Sequence, residues 1–321
     1  MDGKNIVFAG AAPVPMGTPW GTLALVVRRA LEPLGYETQI EAASWGDNNA
    51  RYVADGLADL GATQYRSVRY AWDGLHSFAT GGPRRNLRLI ATINQPAWIG
   101  MAVRAESDIT DLSDVAKRRL PIRIKTSGDG VFDVLFEHYG LSRDKIRSFG
   151  GRFIAGIGAE DMNPATRWEN RDYNQLAPWV VSGEFDAIID PIYAAYTPEH
   201  KHWWEATILH RMRFLPMPAD LVRKLCDSGE VEGAGFIPHR LMRGVDEDIP
   251  SVERFPQVIY SREEMPEGFV YEVAKALDQG RNLFRQTHLP YSYDPLTVAK
   301  PRAVPFHAGA ERYYREAGYP R

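Results

Sequence analysis

Cysteine is nearly absent from this 321-residue sequence, and a strong net charge is absent as well. The single cysteine, Cys226, excludes an intramolecular disulfide and a cysteine-rich metal site. It stands among Leu221, Val222 and Leu225 in a segment with helical spacing, which predicts a packing residue rather than a nucleophile. The formal net charge of −3 provides no basic bias toward phosphate backbones, so we expect no nucleic-acid partner.

Long apolar runs are missing too. No stretch reaches the ~18 apolar residues of a membrane-spanning helix, so we expect no direct membrane insertion. Residues 1–17, MDGKNIVFAGAAPVPMG, contain an apolar run that is too short for a signal peptide. We therefore expect a periplasmic location if a signal peptide has been removed, and a cytoplasmic location otherwise.

The sequence also lacks the usual motifs of catalytic and cofactor sites. Glu199, His200 and His202 do not have the His-Glu-x-x-His spacing of a zinc helix, and we expect them on a solvated surface. Residues 10–18 contain glycines but not the lysine of a P-loop, and no Gly-x-Ser-x-Gly elbow occurs. We predict no metal site, no nucleotide and no organic cofactor.

What is present is a regular alternation of strand and helix patterns. Strands are predicted at residues 5–9, 37–42, 60–63, 87–93, 99–104, 122–125, 187–190, 208–215 and 257–261. Helical patterns separate many of them, and the alternation is typical of an α/β fold in which a mainly parallel sheet has helices on both faces. The chain is long enough for two lobes. Residues 156–175 form a long polar excursion, a kind of loop that is often functional.

Residues 121–140, PIRIKTSGDGVFDVLFEHYG, combine a strand, a glycine-rich turn and the start of a helix. Thr126, Ser127, Gly128 and Asp129 occupy the turn, where free backbone N–H groups and the positive end of the helix dipole converge. This arrangement suits an anion such as a carboxylate. The alternative is that Thr126 or Ser127 merely caps the helix and that Asp129 is a favourable acid in its first turn.

Four segments resemble the TAXI family, the solute-binding proteins of a class of TRAP transporters. The most specific is the tail at residues 305–318, PFHAGAERYYREAG, and the others are NLRLIA at 86–91, VRAESDITDL at 103–112 and GEFDAI at 183–188. The resemblance implies a two-lobed type II periplasmic-binding-protein fold with the ligand in the inter-lobe cleft. Lobe 1 would comprise residues 1–98 and 250–321, ending in a wrapping tail, and lobe 2 residues 99–249. It also implies a small acid as ligand and a TRAP membrane permease as partner.

Ligands of open α/β sheets bind beyond the carboxyl ends of the strands, and this rule selects the candidate site residues. Arg66 follows a strand and could bind a carboxylate with both guanidinium nitrogens, or it could form a surface ion pair. Trp45 and Trp98 could stack on an apolar ligand body, or they could pack at a lobe edge. The remaining candidates at predicted strand ends and turns are Ser44, Asn48, Gln64, Tyr65, Thr126, Ser127, Gly128, Asp129, Asp190 and Tyr193.

Two hypotheses about function follow. The first is a solute-binding protein that closes its lobes around a small carboxylated compound. The second is a cytoplasmic, cofactor-free enzyme on the same fold, a decarboxylase or lyase that acts on an aromatic or unsaturated acid. In the enzyme, Arg66 would hold the acid, and Asp129 or Asp190 would move a proton with a raised pKa.

Overall fold

The computed structural model describes residues 4–10, 18–41, 46–128, 130–154, 175–197 and 200–320. The strands are β1 (Lys4–Ala9), β2 (Tyr36–Glu41), β3 (Leu60–Gln64), β4 (Leu87–Ile93), β5 (Ala97–Arg104), β6 (Arg123–Thr126), β7 (Arg152–Ile154), β8 (Ala187–Tyr193), β9 (Met212–Phe214), β10 (Gly233–Ile237), β11 (Ile249–Glu253) and β12 (Gln257–Arg262). The α-helices are α1 (Pro19–Leu31), α2 (Gly46–Ala54), α3 (Tyr65–Asp73), α4 (Ser113–Arg118), α5 (Gly130–His138), α6 (Arg143–Ser148), α7 (Pro178–Ser182), α8 (His202–Leu209), α9 (Ala219–Asp227), α10 (Glu267–Gln279) and α11 (Ala308–Glu316).

The chain divides into two compact units, each with its own sheet. Unit 1 comprises Met1–Gln95 and Phe255–Arg321, and unit 2 comprises Pro96–Arg254. The chain therefore leaves unit 1 once and returns to it once. Both sheets are flanked by helices, so the predicted α/β class with two lobes is confirmed.

The sheet of unit 1 has the strand order β2-β1-β3-β12-β4. β1 runs parallel to β2 and β3, whereas β12 runs antiparallel to β3 and β4. The helix α1 starts where the sequence provides a cap, because Thr18 Oγ1 accepts a hydrogen bond from the Gly21 amide and Pro19 occupies the first turn. Its apolar face, with Leu23 and Val27, is fully buried.

The tail motif that carries the family resemblance forms α11. His307 caps this helix, because its Nδ1 accepts a hydrogen bond from the Gly309 amide at 3.1 Å. Its Nε2 lies 3.2 Å from the Glu263 carbonyl and 3.1 Å from the Met265 carbonyl. Two helices therefore pack closely here, and the motif has a structural role in the core of unit 1.

The sheet of unit 2 has the order β10-β11-β5-β8-β6-β7, and β9 pairs with β5. β8 is buried along its whole length and presents different residues to the two faces. Ile189 packs with Ile124 on one face, whereas Ile188 and Ile192 pack with Trp203 of α8 on the other. A buried strand between two layers of helices therefore forms the centre of unit 2.

One predicted element was wrong. Residues 208–215 were expected to form a strand, but Ile208 and Leu209 end the helix α8, and β9 begins only at Met212. α8 escapes prediction because its sequence, HWWEATIL, is apolar on most sides and shows no helical stripe. Within the described part of the chain, no helix is long and apolar enough to cross a membrane.

Candidate functional site

The turn after β6 lies at the carboxyl ends of two neighbouring strands of unit 2. β6 and β8 run parallel, with Thr126 beside Ile189. Thr126 ends β6 and is 2% exposed, Ser127 is half-buried and Gly128 is exposed. The helix α5 begins at Gly130. Asp129, the remaining residue of the predicted anion-binding turn, lies outside the described residues.

Asp190 is the centre of a buried polar cluster beneath this turn. It is 0% exposed, and its Oδ2 lies 2.9 Å from Lys125 Nζ and 3.1 Å from His202 Nε2. Its Oδ1 accepts a hydrogen bond from Ser127 Oγ at 2.5 Å. One carboxylate thus connects β6, β8, α8 and the turn, and we call these four residues the Asp190 cluster.

Strand register explains why a lysine and an aspartate meet here. Lys125 lies beside Ile188 in the parallel pair, so its side chain shares a face with the next-but-one residue of β8, which is Asp190. On the other side, Asp190 is paired with Gly100 of β5. A Cβ at Gly100 would lie only 2.2 Å from Ile192 Cδ1, so glycine allows this face to pack closely.

The charges of the Asp190 cluster stabilise the ionised carboxylate. Burial acts to raise the pKa of Asp190, but the charge of Lys125 and the hydrogen bond and charge of His202 outweigh burial and lower the pKa. An ionised carboxylate can only accept hydrogen bonds. Ser127 must therefore donate its hydroxyl proton to Asp190, which leaves the lone pairs of Ser127 Oγ for another group.

His200 is held neutral near the cluster. Burial lowers the pKa of His200 well below its ordinary value, although the Asp190 carboxylate acts in the opposite direction. Its ring centroid lies 4.6 Å from that of Tyr193, which is 8% exposed at the end of β8. The expected solvated surface is wrong for His202, which is 4% exposed, whereas Glu199 lies outside the described residues.

The predicted residues of unit 1 lie at the carboxyl end of β3. Gln64 ends this strand, is 7% exposed, and donates its Nε2 hydrogen to the Phe255 carbonyl at 3.2 Å. The Tyr65 hydroxyl accepts a hydrogen bond from the Val304 amide at 3.2 Å, which ties the tail to α3. Arg66 is half-buried in the first turn of α3, with its guanidinium 5.7 Å from the ring centroid of Tyr70.

The other predicted ligand residues are dispersed. Trp98 is 7% exposed and packs in the core of unit 2 with Ile192 and Trp203. Asn48 is half-buried on α2 of unit 1. Ser44 and Trp45 lie outside the described residues. The structure thus groups Ser127 with Asp190 in unit 2 and Gln64, Tyr65 and Arg66 in unit 1.

Sequence reasoning missed several buried polar residues at strand ends and at the start of a helix. In unit 2 these are Lys125 and His202, whose partner Asp190 is distant in the sequence. In unit 1 they are Gln95 and Gln257, which share a hydrogen bond of 3.1 Å, with Trp20 Nε1 donating to Gln257 Oε1 at 2.9 Å. The one available signal was an aspartate in the otherwise apolar strand β8, AIIDPIY, which needs a buried partner. Among the described residues, no group of three potential His, Cys, Asp or Glu ligands could hold a metal ion.

Comparison with known proteins assigns the family. The sequence model of the NMT1-like family matches residues 20–156 and 205–318, which together exceed half of the chain. The protein belongs to the NMT1-like family. The match includes the turn after β6 and leaves out Asp190, which lies between the two matched ranges.

Solved structures resemble this NMT1-like chain at low sequence identity. A Xanthomonas citri protein bound to ATP is 11% identical, with 98% of this chain and 95% of that chain covered and a TM-score of 0.50. The periplasmic aliphatic sulphonate binding protein of Escherichia coli is also 11% identical, with 100% and 89% covered and a TM-score of 0.42. Lactococcal OpuAC complexed with glycine betaine is 12% identical, with 91% and 100% covered and a TM-score of 0.43. At these identities the likeness concerns the fold alone.

Proposed function

We propose that this NMT1-like protein is a solute-binding protein that captures a small carboxylated compound. The observation that carries the proposal is the turn after β6, where the exposed Gly128 and the start of α5 adjoin Ser127, which is hydrogen-bonded to the buried Asp190. Backbone amides at such a turn are suited to a carboxylate. A turn held by a hydrogen bond to a buried carboxylate is preorganised for binding.

The chemistry of Ser127 narrows the ligand class. Because its hydroxyl proton is donated to Asp190, Ser127 Oγ offers a lone pair to a ligand. A compound with an N–H or O–H donor next to its carboxylate, such as an amino acid or a hydroxy acid, can donate to Ser127 Oγ and accept from the backbone amides of the turn. The family resemblance of the tail supports transport through a TRAP-type permease as the finer assignment.

A thermal-shift and calorimetric screen of amino acids, hydroxy acids and simple carboxylates tests the proposal. We expect at least one compound to raise the melting temperature and to be recovered chemically unchanged by mass spectrometry. Recovery of only altered compounds would support the enzyme hypothesis instead. In that hypothesis Asp129 or Asp190 moves a proton with a raised pKa, and of these two the pKa of Asp190 is lowered. A gene for a TRAP-type permease beside the gene for this protein would support the transport assignment, and genes for an ABC permease would contradict it.

A further inference from the structure

Gln95 has a buried donor group that no described residue accepts. The residue is 7% exposed, and its Nε2 is buried with no hydrogen-bond partner among the described residues. A carboxamide NH2 group carries two hydrogens, and leaving them unpaired inside a protein is unfavourable. An acceptor from outside the described chain would remove this penalty.

The orientation of the Gln95 carboxamide follows from a chain of hydrogen bonds that begins at a tryptophan. An indole N–H can only donate, so the Gln257 atom that faces Trp20 Nε1 at 2.9 Å must be Oε1. Gln257 then presents its Nε2 to Gln95, and the atom that accepts at 3.1 Å must be Gln95 Oε1. The oxygen of Gln95 is therefore engaged, and its NH2 group is left available.

We call the hydrogen-bonded chain of Trp20, Gln257 and Gln95 the relay, and its position agrees with a binding role. Trp20 lies in the first turn of α1, and Gln95 follows the carboxyl end of β4. Gln95 and Gln257 also lie on the two segments by which the chain leaves and re-enters unit 1. None of the three side chains is charged, so the relay provides a donor without bringing a counter-ion of its own.

We propose that the Gln95 carboxamide is a ligand-binding donor of unit 1, which takes a carboxylate oxygen in the orientation set by Trp20 and Gln257. This inference rests on the proposed solute-binding function and names a residue that recognises the acid. A bond from an amide donor to a carboxylate is charge-assisted and therefore stronger than a bond between neutral groups.

The decisive variant is Gln95→Glu, because it keeps the oxygen that accepts from Gln257 and replaces the NH2 group by a second oxygen. Acetate, succinate and L-glutamate serve as probes, with affinities measured by titration calorimetry on protein whose folding is verified by circular dichroism. We expect the affinity of the tightest probe to fall at least about 10-fold. Gln286→Glu makes the same chemical change at an exposed position and should leave the affinity unchanged.

A second variant tests the relay without changing Gln95. In Gln257→Glu, the carboxylate still accepts from Trp20 but can no longer donate to Gln95. The Gln95 carboxamide then rotates so that its NH2 group donates to the new carboxylate at position 257. No donor of Gln95 is left for a ligand, so we expect a similar loss of affinity. A purely structural relay would lower the melting temperature of both variants and leave the affinity of the folded protein intact.

The outcomes separate this inference from the proposed function. Equal binding of a probe by the wild-type protein and Gln95→Glu overturns the role of Gln95 and leaves the solute-binding proposal standing. If none of the three probes binds the wild-type protein while the wider screen finds a non-carboxylate ligand, the carboxylate role of Gln95 is overturned. If neither the probes nor the screen gives binding, both proposals fall.

Discussion

At the scale of single residues, the Asp190 cluster shows how contacts between buried groups offset the desolvation free energy of buried charges. Lys125 is 5% exposed and Asp190 is 0% exposed, so neither charge is solvated. Their contact at 2.9 Å is supplemented by His202 and Ser127, which contact the same carboxylate. Such a cluster is stable only when it is complete, because each partner compensates the desolvation of another.

Removal of the carboxylate charge should therefore destabilise unit 2. We expect Asp190→Asn to lower the free energy of unfolding by about 3–5 kcal/mol, because the buried Lys125 ammonium loses the carboxylate charge that lies 2.9 Å away. The double variant Lys125→Met/Asp190→Asn removes that charge as well and should recover part of the loss. Urea denaturation followed by tryptophan fluorescence measures both. An Asp190→Asn protein as stable as the wild type would show that water reaches the lysine.

Arg66 is the single residue whose change best separates a ligand site from a surface ion pair in unit 1. We expect Arg66→Ala to weaken binding of the ligand found in the screen by about 2–4 kcal/mol, as when a partner of a buried charge is truncated. Arg66→Lys should recover only part of this loss, because an ammonium cannot bind a carboxylate with two parallel hydrogen bonds.

A matched control for Arg66 lies on the same helix. Arg69 contacts Asp73, with 3.7 Å between Nε and Oδ2, so Arg69→Ala removes one positive charge from α3 that is engaged with an acidic side chain of the same helix. Titration calorimetry should show nearly unchanged affinity for this variant. If Arg66→Ala and Arg69→Ala bind equally well, Arg66 is not part of the site.

At the scale of elements, the contact between α10 and α11 depends on one glycine of the tail motif. A Cβ at Gly309 would lie 2.2 Å from the Glu267 carbonyl oxygen and 2.8 Å from the Tyr271 amide nitrogen. Both are backbone atoms of another helix, which cannot turn aside as a flexible side chain would. The spacing between the two helices therefore requires glycine here.

We expect Gly309→Ala to lower the free energy of unfolding by about 1–3 kcal/mol or more, because the added methyl group overpacks the helix contact. Gly268→Ala is the matched control, since it lies on α10 and a Cβ there would have no neighbour within 4 Å. That control should be stabilised by about 0.5–1 kcal/mol through helix propensity. Differential scanning calorimetry measures the stability of both variants. A Gly309→Ala protein as stable as the wild type would contradict the close packing.

The elements differ in how far the sequence predicts them, and the reasons are physical. β4 was predicted with its observed bounds and β3 to within one residue, because both are short apolar runs between turn residues. α8 was partly predicted as a strand because tertiary burial, rather than an amphipathic pattern, stabilises it. β10 and β11 were missed because their sequences, GAGFI and IPSVE, contain glycine or proline, which are rare inside strands.

At the scale of the whole molecule, the general location of the polar sites was predictable and their partners were not. The rule that ligands meet strand ends selected Ser127 and Asp190 separately, and the structure joins the two by a hydrogen bond. It could not select Gln95 and Gln257, which are 162 residues apart and meet only because the chain returns to unit 1. Pairings that depend on the return of a chain leave no local pattern in the sequence.

Two histidines that are shielded from solvent predict that the chain loses stability in acid. Burial lowers the pKa of His288 in unit 1 to about 4, and it also lowers the pKa of His200 in unit 2. Above pH 6.5 each ring is neutral in both the folded and the unfolded chain. Below pH 6.5 the unfolded chain takes up protons that the folded chain does not, so the free energy of unfolding falls, by up to about 3 kcal/mol for His288 between pH 6.5 and 4.

His288→Gln isolates this contribution, because a glutamine can keep the contact that Thr22 Oγ1 makes with the imidazole at 3.4 Å but cannot take up a proton. Denaturation series at several pH values should show a flatter fall between pH 6.5 and 4 for the variant, and no change of slope for the exposed His239→Gln. Asp190 contributes mainly below this range, because the stability that its lowered pKa provides is lost as the pH falls through 3.8, the ordinary value for its carboxyl group, and below it. An equally steep fall in His288→Gln would assign the acid sensitivity of unit 1 to other groups.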